Sequence, residues 1–332
     1  MATQSPQHTD TSWHVTPAPV RAAGVVIGLT VLVAVIYVAF GWPPARSKPH
    51  NLPIGVAGSL TAEQIQSQLD HITPGGFTVT SYPDQGALRS AIHHRRVYGG
   101  LVMGSPGDPQ GTTLLTASGA SPIVAQLLTR VGADITQHAG APLHNEDLAP
   151  LPASDPGGTG LAASALPLTC AGLLPALVLL LVFPRTVWLQ FVATAVFSVL
   201  AAVTIAALLR HVFESIDDNF WSVTAGLTLG VLAMSLPVLG LGALFGWVGV
   251  AVGVVVAVLL GSPLSGLMSA PEMLPHGWAT LGQLLPQGAN ATLLRSTAYF
   301  SGASASTAIL VLAGWAVAGT LLIGIAGVRG RA

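Results

Sequence analysis

The sequence predicts a polytopic α-helical membrane protein of about six spans, with an extracytoplasmic α/β domain between spans one and two. Two observations carry this prediction. Charged residues make up only 8% of the 332 residues, against about 25% in a typical soluble domain, and the mean hydropathy is +0.67. Between the first two apolar stretches, however, about 100 residues show the alternating and amphipathic patterns of a water-soluble domain.

The spans are predicted from stretches that lack Asp, Glu, Lys and Arg. A helix needs about 20 apolar residues to cross a bilayer. Four of these stretches fit one span each, and the stretch Asn219–Pro271 fits two, with Pro237, Gly240, Gly242 and Gly246 marking the break. Six spans are therefore expected, with five and seven as the alternatives. The predicted spans lie near Ala22–Trp42, Leu166–Phe183, Val187–Leu209, Trp221–Leu241, Ala243–Gly261 and Ser304–Val328.

The arginines near the span ends predict the orientation, because cytoplasmic loops are enriched in Lys and Arg. With six spans, Arg21, Arg185, Arg329 and Arg331 share one side, and Arg210 and Arg295 lie opposite. We therefore expect a multi-pass protein of the inner (plasma) membrane with both termini cytoplasmic. The predicted organisation is a cytoplasmic tail 1–21, a first span 22–42 acting as an uncleaved anchor, an extracytoplasmic α/β domain and linker 43–165, a membrane domain 166–328, and a cytoplasmic end 329–332.

The external segment reads as strands that alternate with helices, a pattern typical of an α/β layer domain. Thr61 and Asp84 are well placed as helix N-caps. The Pro-, Gly- and Ala-rich stretch Ala141–Leu161 is predicted to be a linker back to the membrane. The predicted elements are strands Pro53–Ala57, Phe77–Tyr82, Val97–Met103 and Thr112–Thr116, and helices Thr61–Ile72, Asp84–Arg96 and Ser121–Gln137.

The chain lacks the common catalytic and cofactor-binding motifs. It has no Walker-type phosphate loop, no HExxH, no paired-cysteine zinc spacing and no GxSxG. We therefore expect no catalytic residues, no cofactor and no bound metal. The formal net charge of -1 gives no electrostatic reason to expect nucleic acid as a partner. Cys170 is the single cysteine, and its apolar surroundings predict a buried, inert thiol.

Two polar clusters have both a functional and a structural interpretation. His93-His94-Arg95-Arg96 suggests metal or phosphate binding, but cations at a helix C-terminus are favoured by the helix dipole alone, and adjacent residues point to different faces. Glu214, Asp217 and Asp218 carry ligands for a cation, but a solvated outer loop explains them equally well. The structural interpretation is preferred for both clusters.

Residues 262–303 are too apolar for an ordinary loop, and prolines divide them into pieces too short to cross a bilayer. We predict an outer re-entrant or interfacial segment, which must be covered by protein or line a cavity. A short helix is expected over Ala289–Phe300. Glu272 and Arg295 are the candidate outer-gate or structural polar pair, although snorkelling of Arg295 to the lipid headgroups is the preferred alternative.

The run Ser262-Pro-Leu-Ser-Gly-Leu-Met-Ser-Ala-Pro-Glu-Met-Leu-Pro275, with Leu285–Gly288 and Leu294–Phe300, resembles the outer segment before the last span of type-2 ABC exporter permeases. The layout of one span, an external domain and five further spans is similar to the branch related to the phage-infection-protein family, as are Leu88–Ile92 and Val97–Met103. The resemblance implies a permease subunit, a homo- or heterodimer, that works with a separate ATPase. The loop Pro184–Gln190 is shorter than the cytoplasmic loop such permeases use for that contact.

The lipid bilayer is an expected partner of the chain. Two functions are consistent with these features. The first is a membrane permease subunit of an ABC-type exporter, which moves a lipophilic or envelope substrate outward with a separate ATPase. The second is a non-transporting membrane protein whose outer α/β domain binds an envelope ligand or partner. An intramembrane enzyme is disfavoured because the spans lack charged catalytic groups.

Overall fold

The computed structural model describes residues 18–58, 61–103, 112–139, 142–184, 186–216, 219–267, 269–275 and 277–329. Within them, long apolar helices accompany one small mixed sheet. Five helices of the described part are long and apolar enough to cross a membrane. They cover Pro19–Pro43, Thr159–Val182, Val187–His211, Phe220–Gly261 and Ser306–Arg329.

The membrane helices begin and end close to the predicted spans. Helix α1 covers Ala18–Ala45. It leads into the α/β domain with Arg46 stacked over the Trp42 ring at 4.7 Å from its centroid. After the domain, a short helix α5 (Thr159–Ala163) precedes α6 (Ala165–Val182), α7 (Val187–His211), α8 (Phe220–Val255) and, near the C-terminus, α11 (Ser306–Arg329).

Helix α8 is not one straight rod, because its backbone leaves helical geometry at Gly246 (φ 61°, ψ −143°). This conformation is open essentially to glycine alone. In a straight helix, 15 residues would separate Val238 from Gly253 by about 22 Å. Instead the Val238 side chain lies 3.0 Å from the Cβ position of Gly253. The two legs, 220–245 and 247–261, therefore fold back on each other as a hairpin. The reversal lies beyond the predicted break at Leu241–Ala243, because Pro237 is accommodated inside the first leg.

The α/β domain contains a five-stranded sheet of order β2-β1-β3-β4-β5. The strands are β1 (Leu52–Gly58), β2 (Phe77–Tyr82), β3 (Gly99–Met103), β4 (Thr112–Thr116) and β5 (Leu143–Asp147). Strand β1 pairs in parallel with β2 and β3, β3 pairs antiparallel with β4, and β4 pairs in parallel with β5. The predicted linker Ala141–Leu161 thus contains a strand. Its sequence LHNED carries little hydrophobic alternation, so only its partner β4 reveals it.

Three helices cover the sheet: α2 (Ala62–Ile72), α3 (Gln85–His93) and α4 (Pro122–Ala139). Alternate residues of β1 and β4 point to opposite faces. Side chains of α2 and α4 pack on one face, and those of α3 pack on the other. Thr61 caps α2 in a capping box with Gln64, and Asp84 caps α3 through the amide of Ala87. Both N-caps were predicted.

The loops before α5 and after α7 are tied together by Asp155, which is 5% exposed. Its carboxylate accepts hydrogen bonds from the Thr159 amide (2.7 Å), the Gly160 amide (2.9 Å) and the Ser215 hydroxyl (2.6 Å). Burial by itself raises the pKa of this carboxyl, but the hydrogen bonds outweigh that effect, and the pKa is lowered overall. The linker before α5 is therefore fixed to the loop after α7.

Candidate functional site at the junction of the α/β domain and the membrane helices

The segment between α8 and α11 consists of short pieces packed directly against the α/β domain. A π-helical turn (Val256–Gly261) leads into a 3-10 turn (Pro271–Met273), α9 (Trp278–Leu284) and α10 (Pro286–Tyr299). Ala270 and Met273 join the core on the α2 and α4 face of the sheet, and Phe300 joins the core on the α3 face. The domain and this segment are therefore one packed unit.

The chain leaving α1 also pairs with this segment through its backbone. The Lys48 amide donates to the Met273 carbonyl at 3.1 Å, and the His50 amide donates to the Glu272 carbonyl at 2.9 Å. These bonds satisfy backbone groups of an irregular stretch that neither a helix nor a sheet provides for. The 3-10 turn is thereby held between the end of α1 and the sheet.

Arg95 of the α/β domain contacts the segment between α8 and α11 through its side chain. Helix α3 ends at His93, three residues earlier than predicted, and Arg95 adopts a left-handed backbone conformation with φ 53°. That conformation costs about 1–2 kcal/mol for a residue with a side chain. It directs the guanidinium Nη1 to the Thr292 carbonyl (3.0 Å) and the Ser296 hydroxyl, with the Phe300 ring centroid 5.4 Å away. Arg95 therefore has a packing role beyond the helix-end interaction that the sequence indicates, and binding of a metal or phosphate by the cluster stays a prediction.

Glu272 is bound by Tyr98, the residue just before β3. The Tyr98 hydroxyl donates to Glu272 Oε2 at 2.6 Å. Burial, and then the negative charge of Glu272, raise the pKa of Tyr98 well above its ordinary value. The phenol therefore stays protonated and remains a hydrogen-bond donor to the carboxylate across the physiological pH range.

Arg295, the other half of the predicted pair, lies inside the protein on α10 and is 4% exposed. Its Nη1 donates to the Gly266 carbonyl at 2.8 Å, and its Nη2 donates to the Leu267 carbonyl at 2.7 Å. Snorkelling to the headgroups is therefore wrong for this side chain. Among the described residues Arg295 forms no ion pair with Glu272, since the one ion pair found there joins Arg89 to Glu146. Any gating role of Glu272 and Arg295 stays a prediction.

A cavity of about 270 Å³ opens beside these contacts. Its polar lining comes from both parts of the chain: Arg95, Arg96 and Tyr98 from the domain, and Glu272, Gln283 and Thr292 from the membrane segment. Ser304, just before α11, completes the wall and donates to the His94 carbonyl at 2.6 Å. Burial lowers the pKa of Arg95, while the neighbouring Tyr98 and Glu272 oppose that shift.

One fully buried amide donor in this wall lacks a partner among the described residues. The Thr292 hydroxyl donates to Gln283 Oε1 at 2.6 Å, which orients the amide. The other amide atom, Gln283 Nε2, is buried with no partner in the described part of the chain. A buried donor left without a hydrogen bond costs about 1–3 kcal/mol. A group that accepts this hydrogen bond would recover that free energy.

A second polar cluster lies deeper, where α10 meets the helical bundle. Thr169, Ser262, Ser265, Gln287 and Asn290 line a space of about 10 Å³, roughly the room that one water needs. Gln287 donates to the Ala257 carbonyl at 3.2 Å. Asn290 is 2% exposed, and its Oδ1 has no partner among the described residues. The apolar character of the flanking helices makes this concentration of polar groups unusual.

No family model, curated protein or solved structure matches the chain. The features that bear on its function are therefore these two polar clusters and the geometry around them.

The sequence singled out Glu272 and Arg295 but missed the groups that accompany them. Tyr98 and Gln283 belong to no motif, and their partners lie 174 and nine residues away along the chain. Of the acidic cluster that could bind a cation, Asp217 and Asp218 lie outside the described residues. Within the described ranges, no three His, Cys, Asp or Glu side chains come together to hold a metal. Cys170 is exposed on α6, so the prediction of a buried thiol was wrong.

Proposed function

We propose that the chain is the membrane-embedded permease subunit of an exporter, which moves a lipophilic or envelope substrate outward with a separate ATPase. The observation that carries the proposal is the broken segment 262–303, which is packed between the helical bundle and the α/β domain. Irregular backbone at or near membrane depth is tolerated where it is buried in protein or lines a path through it. Here it supports a polar cluster at its base and the junction cavity at its outer side.

The proposal includes six membrane crossings with both termini cytoplasmic. The hairpin at Gly246 supports this number, because the second leg runs back antiparallel to the first. At about 22 Å, it covers most of the roughly 30 Å hydrocarbon core. The ends of the helices also sort into two groups. At one end, Ser154 contacts the Glu214 carbonyl and Tyr299 contacts the Ser215 carbonyl. At the other end, Pro184 lies beside Gly246 in one cavity wall, and Trp188 lies beside Gly327. The α/β domain belongs to the first group, which we take as the outer side.

Asn290 and the polar residues around it, here called the polar step, lie between the bundle and the outer cavity. Asparagine, glutamine and hydroxyl groups offer hydrogen bonds to a passing polar group without the cost of burying a charge. The space between them is closed to anything larger than about one water. Passage of a substrate therefore requires α10 to move relative to α8, whose Gly230 lies directly against Asn290.

The chain offers only a small surface to which a separate ATPase could bind. The loop between α6 and α7 is only residues 183–186. An apolar cavity of about 260 Å³ lies beside it, lined by Leu180, Pro184, Gly242, Gly246 and Trp247. The ATPase would bind at this inner face, where the loop and the hairpin turn meet.

The alternative is a non-transporting membrane protein whose outer domain binds an envelope ligand or partner. The same short inner loop favours it, because a receptor needs no drive from the cytoplasm. The junction cavity serves that function equally well, since its wall is built from the domain and the membrane segment together.

A transport measurement separates the two functions. The full chain, purified from its native membranes together with any associated ATPase, is reconstituted into liposomes containing fluorescently labelled phosphatidylglycerol. We expect ATP-dependent transfer of the labelled lipid between leaflets. Asn290→Leu should reduce the transfer rate at least tenfold because it removes the polar step. The folded yield should be kept, because leucine has a similar shape and Oδ1 loses no partner.

Thr204→Val on the exposed side of α7 is the matched control and should transfer lipid at the unchanged rate. If no ATPase accompanies the chain and no nucleotide-dependent transfer occurs, the exporter proposal is wrong and the receptor function remains.

A further inference from the structure

We propose that the junction cavity is a binding site for a phosphate group, carried by an envelope lipid headgroup or present as free phosphate. The inference deepens the proposed function by naming a ligand class. Transport of this ligand rests on the proposed function, whereas its binding rests on the donors and charges of the cavity.

The charge around the cavity favours an anion. Arg95 and Arg96 contribute two positive charges, against one negative charge on Glu272. That carboxylate is already engaged by the Tyr98 hydroxyl. Arg295 adds a third positive charge behind the wall, and its field reaches Tyr98. A cation entering this cavity would meet more like charge than opposite charge, whereas an anion would meet the reverse.

The free hydrogen-bond donors also favour an anion with several oxygens. Only Nη1 of Arg95 has hydrogen-bond partners among the described residues, so Nε and Nη2 remain available. Arg96 is exposed, and no contact within the described ranges holds its guanidinium. Gln283 Nε2 is the buried donor without a partner. Arginine donors match the oxygens of a phosphate in paired hydrogen bonds.

The strained backbone of Arg95 and the size of the cavity also favour a binding site. Arg95 keeps a left-handed backbone conformation that its contacts with α10 must offset. Residues in such conformations concentrate at binding sites, where the surrounding structure imposes them. The cavity of about 270 Å³ is far larger than the roughly 10–15 Å³ that a single water needs. It therefore has room for a phosphate and the group that it esterifies.

Both sources of phosphate are tested with the full chain in neutral detergent. The midpoint of thermal unfolding is measured against inorganic phosphate, phosphatidylglycerol and diacylglycerol, which lacks the phosphate, at constant ionic strength. We expect saturable stabilisation by phosphatidylglycerol or by inorganic phosphate, and none by diacylglycerol. Saturation by inorganic phosphate alone assigns free phosphate as the source, and saturation by phosphatidylglycerol alone assigns the lipid headgroup.

Two variants test the site itself. Arg96→Gln removes a free charge, and Gln283→Glu replaces the unpartnered donor by an oxygen while keeping the acceptor for Thr292. Each should raise the apparent Kd at least tenfold. Arg130→Gln, an exposed arginine of α4 outside the cavity wall, is the matched control and should bind as the wild type does.

The inference is overturned if neither inorganic phosphate nor phosphatidylglycerol stabilises the protein, if both cavity variants bind like the wild type, or if diacylglycerol stabilises as strongly as phosphatidylglycerol. Its failure is distinct from failure of the exporter proposal. If transport occurs but phosphate does not bind, only the phosphate site is overturned. If phosphate binds but no nucleotide-dependent transport occurs, only the exporter proposal is overturned.

Discussion

Gly249→Ala is expected to open the helical hairpin and prevent recovery of folded protein. A Cβ at residue 249 would collide with the backbone carbonyl of Leu241 in the opposing leg, with the Phe245 side chain also close. A backbone atom cannot rotate away as the end of a side chain can, so the two legs must separate. Overpacking of a tight interior costs about 1–3 kcal/mol even where side chains can adjust. We expect a larger loss here, measured as a lower unfolding midpoint and an aggregated fraction in size-exclusion chromatography.

Gly314→Ala on α11 is the matched control, because it adds the same methyl group to another apolar helix where no atom lies within 4 Å. It should leave the unfolding midpoint unchanged or raise it slightly, since alanine favours helix more than glycine by about 1 kcal/mol. Equal stability of Gly249→Ala and Gly314→Ala would contradict the close packing of the two legs.

Arg295→Met is expected to destabilise the protein by about 2–4 kcal/mol, because the carbonyls of Gly266 and Leu267 lose their donors in a buried site. Two effects oppose each other here. Each carbonyl left without a donor costs about 1–3 kcal/mol, while removing a buried charge recovers part of its desolvation cost. The cost of the two unpaired carbonyls should exceed the recovered desolvation free energy, because both carbonyls lie in irregular backbone with no helix or sheet to replace the lost hydrogen bonds.

Arg295→Lys provides the comparison, since it keeps the charge but loses the planar arrangement of two donors. We expect its stability to fall between that of the wild type and Arg295→Met. Hydrogen exchange should increase around residues 266–267 in both variants, more strongly in Arg295→Met. A methionine variant as stable as the wild type would mean that Arg295 does not hold this segment.

The sequence predicts the features that local chemistry determines. Stretches without ionised side chains mark the membrane helices because a charge in lipid is costly at any position along them. The caps Thr61 and Asp84 are equally local, since each side chain satisfies an amide three residues away.

Features that depend on distant partners escape such reasoning. Strand β5 is recognisable only beside β4. Gly246 was one of four residues marking the break in the long apolar stretch, and only the packing of the two legs selects it. Arg95 meets Thr292 and Ser296 about 200 residues further along the chain, an interaction that its neighbours in sequence do not indicate. Glu272 and Arg295 were chosen as polar residues in an apolar segment. Their actual partners, a phenol and two backbone carbonyls, follow from the fold alone.

The most direct test concerns the claim that the α/β domain and residues 262–303 share the outer face because the chain reverses at Gly246. Single cysteines are introduced at His93, His211, Thr186 and Trp247 in a Cys170→Ser background and treated with a membrane-impermeant maleimide in right-side-out vesicles. We expect labelling at His93 and His211, with Thr186 and Trp247 labelled only after permeabilisation. Labelling of Trp247 in sealed vesicles, or opposite results for His93 and His211, would contradict the topology on which the exporter proposal depends.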